Sequence, residues 1–169
     1  MDSSAIAVLT GDLVGSTGYP AATVDAAMQA VLAASVGIAD WQSPSTDTRF
    51  TRFRGDGCQM VLRQPRFALR AAVIIQGRLM AMGMESRIFI GIGKTESLGT
   101  SSLADAAGEA FERSGQGLDS MGNMWRLGID KQDIHVEDQL IADLLAERMG
   151  RWTAAQAEAA SLQLASPRK

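Results

Sequence analysis

Two aspartates in this 169-residue chain carry the clearest chemical potential. Asp12 lies in Thr10-Gly11-Asp12-Leu13-Val14-Gly15-Ser16-Thr17, and Asp56 in Arg52-Phe53-Arg54-Gly55-Asp56-Gly57, 44 positions apart (12 to 56). Two carboxylates converging beside glycines and hydroxyls make a hard oxygen site suited to Mg²⁺ or Mn²⁺ holding phosphates. Backbone N–H groups of Gly15, Ser16 and Thr17, at the entrance to a helix, would add phosphate donors. The same residues also allow a plainer assignment, with Asp12 capping its loop and Asp56 serving a tight Asp-Gly turn. The single cysteine, Cys58, excludes an internal disulfide, and with one histidine, His135, zinc and thiol–histidine chemistry are poor assignments.

Periodicity defines the elements that must position these residues. Residues 5–14 read as a buried strand that turns polar at its C-terminal end, and residues 15–18 as a turn. A helix over 21–41 places Val24, Met28, Val31, Leu32 and Ser35 on one stripe, and Ser43-Pro44-Ser45 stops it. Residues 48–54 alternate polar and aromatic types, Gly55-Asp56-Gly57 signals a hairpin, and 59–62 resume strand character. Pro65 opens a helix to about Met82, with Ala68, Ala71, Ala72, Ile75 and Leu79 inward. Residues 87–93 form a strand whose glycines imply close approach by a neighbour or a ligand.

A helix capped by Ser102 or Asp105 then runs to about Met121, followed by a short strand over 127–129. Helices over 136–149 and 153–164, the latter N-capped by Thr153, form the tail. This order predicts an α+β fold with its helices on one face of the sheet and a split-βαβ core. In such a sheet the first strand lies beside the third and antiparallel to it, which brings Asp12 near Asp56. Residues 1–134 form the main domain, and 135–169 are helices appended to the same globular unit.

Composition sets further limits. The chain is 46% hydrophobic and 21% charged, a globular balance. Its apolar runs at 5–9 and 68–75 fall short of the ~20 residues that span a bilayer. An acidic residue stands where a signal peptide needs positive charge, so the expected location is cytoplasmic and away from membranes. The net charge of −3 argues against general nucleic-acid binding. Met80, Met82 and Met84 read as core filler, and Arg70, Arg78, Glu85 and Arg87 as a solvated face.

Order and spacing together resemble the class III adenylate/guanylate cyclases over residues 5–129. The segment around Asp12 is similar to their first metal motif, an Asp ending a strand before a Gly-Ser-Thr turn. The segment Arg52–Gly57 is similar to their second, a basic residue four positions before the Asp of a Gly-Asp hairpin. Asp105-Ala106-Ala107-Gly108-Glu109-Ala110-Phe111-Glu112 follows their later pattern of an Asp, a Gly three on and a transition-state position seven on. The resemblance implies a ferredoxin-like cyclase fold with Asp12 and Asp56 as ligands of Mg²⁺ or Mn²⁺. It also implies Arg52 and Asp105 as base-binding positions, and a homodimer whose sites draw on both subunits. The family's transition-state Asn and Arg fall here on Glu112 and Gln116. A cyclase needs fixed positive charge on the α-phosphate, and neither residue supplies it.

The stretch Gly108–Phe111 and the segment Gly150-Arg151-Trp152-Thr153 are similar to a cyclase-like offshoot, the SatD family, which joins such a domain to a helix-turn-helix region. Here the sequence stops at Pro167-Arg168-Lys169, so a recognition helix for DNA is not expected. The leading expectation is a degenerate cyclase-like domain that binds a nucleoside triphosphate or similar phosphate ligand with little or no turnover. The alternatives are an active metal-dependent cyclase, with Asp12 and Asp56 at its centre, and a structural or transcription-associated regulator acting through a protein partner.

Overall fold

A computed structural model of the chain describes residues 5–41, 49–100, 102–122 and 124–166. The Ser43-Pro44-Ser45 helix stop and the extreme ends of the sequence lie outside them. The elements run β1 (Ala5–Leu13), α1 (Ala21–Ala39), β2 (Phe50–Phe53), β3 (Gly57–Leu62), α2 (Ala68–Ala81) and β4 (Ser86–Lys94). They continue with α3 (Glu109–Ser120), β5 (Leu127–Lys131), α4 (Val136–Met149) and α5 (Ala154–Ala165). The strands form one mixed sheet in the order β2-β3-β1-β4-β5. All neighbours are antiparallel except β4 and β5. The fold is α+β, as the order of elements predicts, and β1 does lie beside β3 and antiparallel to it.

β1 is the centre of the sheet, and its sequence explains why. Ala7, Leu9 and Leu13 face one way into the core under α1 and α2, while Ile6 and Val8 face the other way towards Ala110 and Phe111 of α3. A strand apolar on both sides needs cover on both sides. The expectation of helices on one face is therefore corrected. β4 and β5 are parallel and need a crossover, and α3 makes it over the face opposite α1 and α2.

The glycines of β4 fit this helix closely. A Cβ at Gly91 would lie 2.3 Å from the Ala110 carbonyl oxygen and 2.5 Å from the Ser114 nitrogen. The close neighbour inferred from the glycines is thus α3. Thr10 and Ser114 join the same layer through a hydroxyl pair at 2.8 Å. The helix itself starts later than its caps imply. Ser102 accepts from Ala104 N at 3.0 Å and caps only a short 3₁₀ turn, and Gly108, at φ 132°, breaks the chain before α3 begins at Glu109.

Helix α2 is buried on more sides than one stripe: Val73, Ile74 and Gln76 are enclosed along with Ala68, Ala71, Ala72, Ile75 and Leu79. The tail supplies the second cover. Gly77 lets α5 approach, a Cβ there falling 3.1 Å from the Ala157 carbonyl oxygen. Arg70 donates from Nε to the Leu164 carbonyl at 2.8 Å and stacks on Trp41 at 4.0 Å. It belongs to the tail's docking rather than to a solvated face. Thr153 accepts from Gln156 N at 3.3 Å as the α5 N-cap. Of the three methionines, Met84 is enclosed and Met82 is exposed.

Helix α1 is the one described helix long and apolar enough, by length and composition, to cross a membrane. The strand- and helix-length apolar runs counted in the sequence pass over it. In the fold Val24, Ala27, Met28, Val31, Ala34, Ser35 and Ile38 are buried.

Candidate functional site

The ends of β1 and β3 meet at one edge of the sheet. Asp12 pairs in register with Gly57, and Leu13 N donates to the Asp56 carbonyl at 3.3 Å. Asp56 sits in the loop Arg54-Gly55-Asp56 between β2 and β3. Arg54 at φ 50° and Gly55 at φ 88° turn the chain there. Glycine takes that backbone freely, whereas Arg54 adopts it at a small cost. Opposite, Gly15 at φ 65° starts the turn Ser16–Gly18, and the Ser16 hydroxyl donates to Asp56 Oδ2. The structure therefore brings Asp12, Asp56, Gly15 and Ser16 to one edge, with Thr17 exposed beside them.

The partner of Asp12 is Arg87. The two residues face each other across β1 and β4, and the guanidinium donates from Nε to Oδ1 at 3.0 Å and from Nη2 to Oδ2 at 2.5 Å. Arg87 Nη1 also donates to the Met121 carbonyl at 2.9 Å. The hydrogen bond to Asp12 holds the Arg87 guanidinium above even its usual range, against the opposing effect of burial. Placing Arg87 on a solvated face was wrong. The signal was present in the sequence only through register: once β1 and β4 pair, an acid and a base fall opposite each other on one face.

Behind the pair, Cys58 has its thiol pushed up to about 12, by burial first and then by the Asp12 carboxylate. It stays protonated at neutral pH, which disfavours a nucleophilic role.

These residues, as arranged, do not fit a bound Mg²⁺ or Mn²⁺. Both oxygens of Asp12 are taken by Arg87, and an oxygen of Asp56 is taken by Ser16. Among the described residues no group of three or more His, Cys, Asp or Glu could hold a metal ion. A cation at this edge has to compete with a guanidinium already in place.

The remaining candidates lie apart. Arg52 pairs with Asp25 of α1 at 2.7 Å and donates to the Gly55 carbonyl at 2.5 Å. Asp105 accepts from Thr100 Oγ1 at 2.8 Å and Thr100 N at 3.1 Å, and that hydroxyl bond, foremost, lowers its pKa. Successive strand residues point to opposite faces. Thr51 accepts from Leu103 N at 2.8 Å, so the turn carrying Asp105 sits on one side of β2 and Arg52 on the other. Within one chain they form no shared pocket.

Glu112 and Gln116 project from the exposed side of α3. Arg113 turns away from Glu112, to Glu109 at 2.5 Å and to the Ile92 carbonyl at 2.5 Å. Among the described residues Glu112 has no cationic partner.

No protein-family model matches this sequence, and no curated protein matches it.

Proposed function

We propose that the chain is a degenerate cyclase-like domain, with a ferredoxin-like split-βαβ core and appended C-terminal helices, that binds a nucleotide or similar phosphate ligand with little or no turnover. The observation that carries this reading is the meeting of Asp12, Asp56 and the Gly15–Thr17 turn at one sheet edge. Turnover is discounted because Glu112 and Gln116 stand where the resembled family has a neutral donor and a positive charge, respectively, and neither Arg113 nor Arg52 turns to Glu112. Mg²⁺ or Mn²⁺ belongs to the proposal only as a counter-ion of the ligand, in competition with Arg87. A homodimer belongs to it as well, since Arg52 and Asp105 would then serve the partner's edge rather than their own.

A specific observation favours a second reading. The two-point Asp12–Arg87 pair neutralises the aspartate and ties β1 to β4, which is a sufficient reason to keep both residues in a purely structural or partner-binding domain.

Thermal unfolding with nucleoside triphosphates, with and without Mn²⁺, separates the two. A ligand at 100 times its dissociation constant adds ~2.7 kcal/mol of stability. The first reading expects a raised melting temperature that Asp56→Ala removes. The second expects no response to any triphosphate.

A further inference from the structure

Ser86 and Arg87 are consecutive on β4 and point to opposite faces of the sheet. Arg87 goes to Asp12, and Ser86 goes to a cavity of about 420 Å³ between the end of α2, the start of β4, the approach to β5 and the end of α4. That volume is within the ~300–1,000 Å³ range of small-molecule sites. Its walls are the side chains of Met80 and Met149, with Trp125 and Met124 at the mouth, where both are exposed.

The polar groups inside are nearly all acceptors. Ser86 lines the cavity and is only 6% exposed, and its hydroxyl oxygen, itself enclosed, has no hydrogen-bond partner. Gln76, also buried, spends both amide hydrogens, donating to the Ser86 carbonyl at 3.2 Å and the Arg126 carbonyl at 2.7 Å. Its carboxamide oxygen accepts no hydrogen bond from the described residues, and the residue lines the same cavity.

Charge points the same way. Glu85, Asp143 and Glu147 line the cavity against one base, Arg126, which pairs with Glu85 at 2.6 Å. Glu147 pairs with Arg151. Asp143 has no cation among the described residues and accepts only from Gln139 Nε2, at 2.7 Å. The site therefore offers an aromatic and thioether wall, the unpaired amide oxygen of Gln76 and one carboxylate without a cationic partner among the described residues. An indole face and an acceptor-rich lining both favour a cation that carries N–H donors.

We propose that this cavity is a binding site for a small amphipathic primary amine, its ammonium group held towards Asp143 and its apolar body against Met80, Met149 and Trp125. The site lies across the sheet from the Asp12 edge and does not depend on the phosphate reading.

The probe is 2-phenylethylamine, with uncharged 2-phenylethanol as its match, titrated into the full chain while the methionine methyl resonances are followed by NMR. The amine is expected to shift Met80 and Met149 saturably and to bind at least tenfold more tightly than the alcohol. Asp143→Asn, which keeps the Gln139 bond, should abolish that tenfold difference. Ala146→Phe, which fills the cavity without altering a charge, should abolish the shifts themselves; together with the melting temperature, it guards against a folding defect in the first variant. Equal binding of amine and alcohol, an unchanged difference in Asp143→Asn, shifts that persist in Ala146→Phe, or no response at Met80 and Met149 would each overturn the assignment.

Discussion

Arg87 grips both carboxylate oxygens of Asp12 across the β1–β4 register, at 3.0 Å and 2.5 Å, with each side chain about one-quarter exposed or less. An acid expected to hold a cation from solution instead holds one supplied by the chain. Replacing Arg87 by Met should leave a half-buried carboxylate unpaired and cost about 1–3 kcal/mol. Asp12→Asn/Arg87→Met should recover part of that loss. Urea unfolding of the two single variants and the double variant measures the coupling, and a cycle that sums to nothing would mean the pair is screened out.

The same pair sets the metal affinity of the edge. If Arg87 competes with a cation for Asp12, wild-type protein should bind Mn²⁺ weakly and Arg87→Met should bind it at least tenfold more tightly. Electron paramagnetic resonance of free Mn²⁺ reads this directly. Equal affinities would show that Asp12 is not where the ion goes.

Close packing of α3 on β4 gives an ordering between two glycines. Gly91→Ala places its methyl 2.3 Å from backbone, whereas Gly77→Ala places its methyl 3.1 Å from the Ala157 carbonyl. The first should destabilise by about 1–3 kcal/mol or more, because backbone on both sides must move. The second should cost less. Chemical denaturation of both variants tests the ranking.

Much of the fold was legible because it rests on local pattern. The apolar run at Ala5–Leu13, the Gly-Asp-Gly hairpin and the Thr153 cap each contain their own signal, and the helix at Val136–Met149 starts and ends where the periodicity places it. What the sequence did not reveal was non-local. That α3 covers the second sheet face follows from β1 being apolar on both sides, yet periodicity alone does not say which helix takes which face. The Arg87–Asp12 pair and the Arg70–Trp41 stack join residues far apart in sequence, so each needs a register or docking mode first. For the candidate site, the convergence of Asp12 and Asp56 followed from strand order alone. The groups that occupy their oxygens, Arg87 and Ser16, depend on side-chain geometry.

Acid should loosen the start of α4. Asp138 lies in its first turn, accepts from His135 N at 3.0 Å and pairs with Lys131 at 2.8 Å. The Lys131 bond, first, and the His135 N–H hold its carboxyl below the usual carboxylate range. A lowered folded pKa contributes stability that is full above the unfolded value and is lost as pH falls through the folded one. Circular dichroism between pH 6 and pH 2 should show a loss of stability over the acid end of that range, and Asp138→Asn should flatten it. An identical acid profile in the variant would remove Asp138 from the account.

Phosphorus NMR of a nucleoside triphosphate mixed with stoichiometric protein, with and without Mg²⁺, tests binding without turnover in one sample. The account predicts that the phosphate resonances shift and broaden, that Asp56→Ala restores the free spectrum, and that no cyclic monophosphate or pyrophosphate accumulates over hours. Unchanged resonances would contradict ligand binding at this edge. Pyrophosphate appearing at ordinary enzymatic rates, ~1 s⁻¹ or more, and vanishing in Asp12→Ala, would contradict the loss of catalysis.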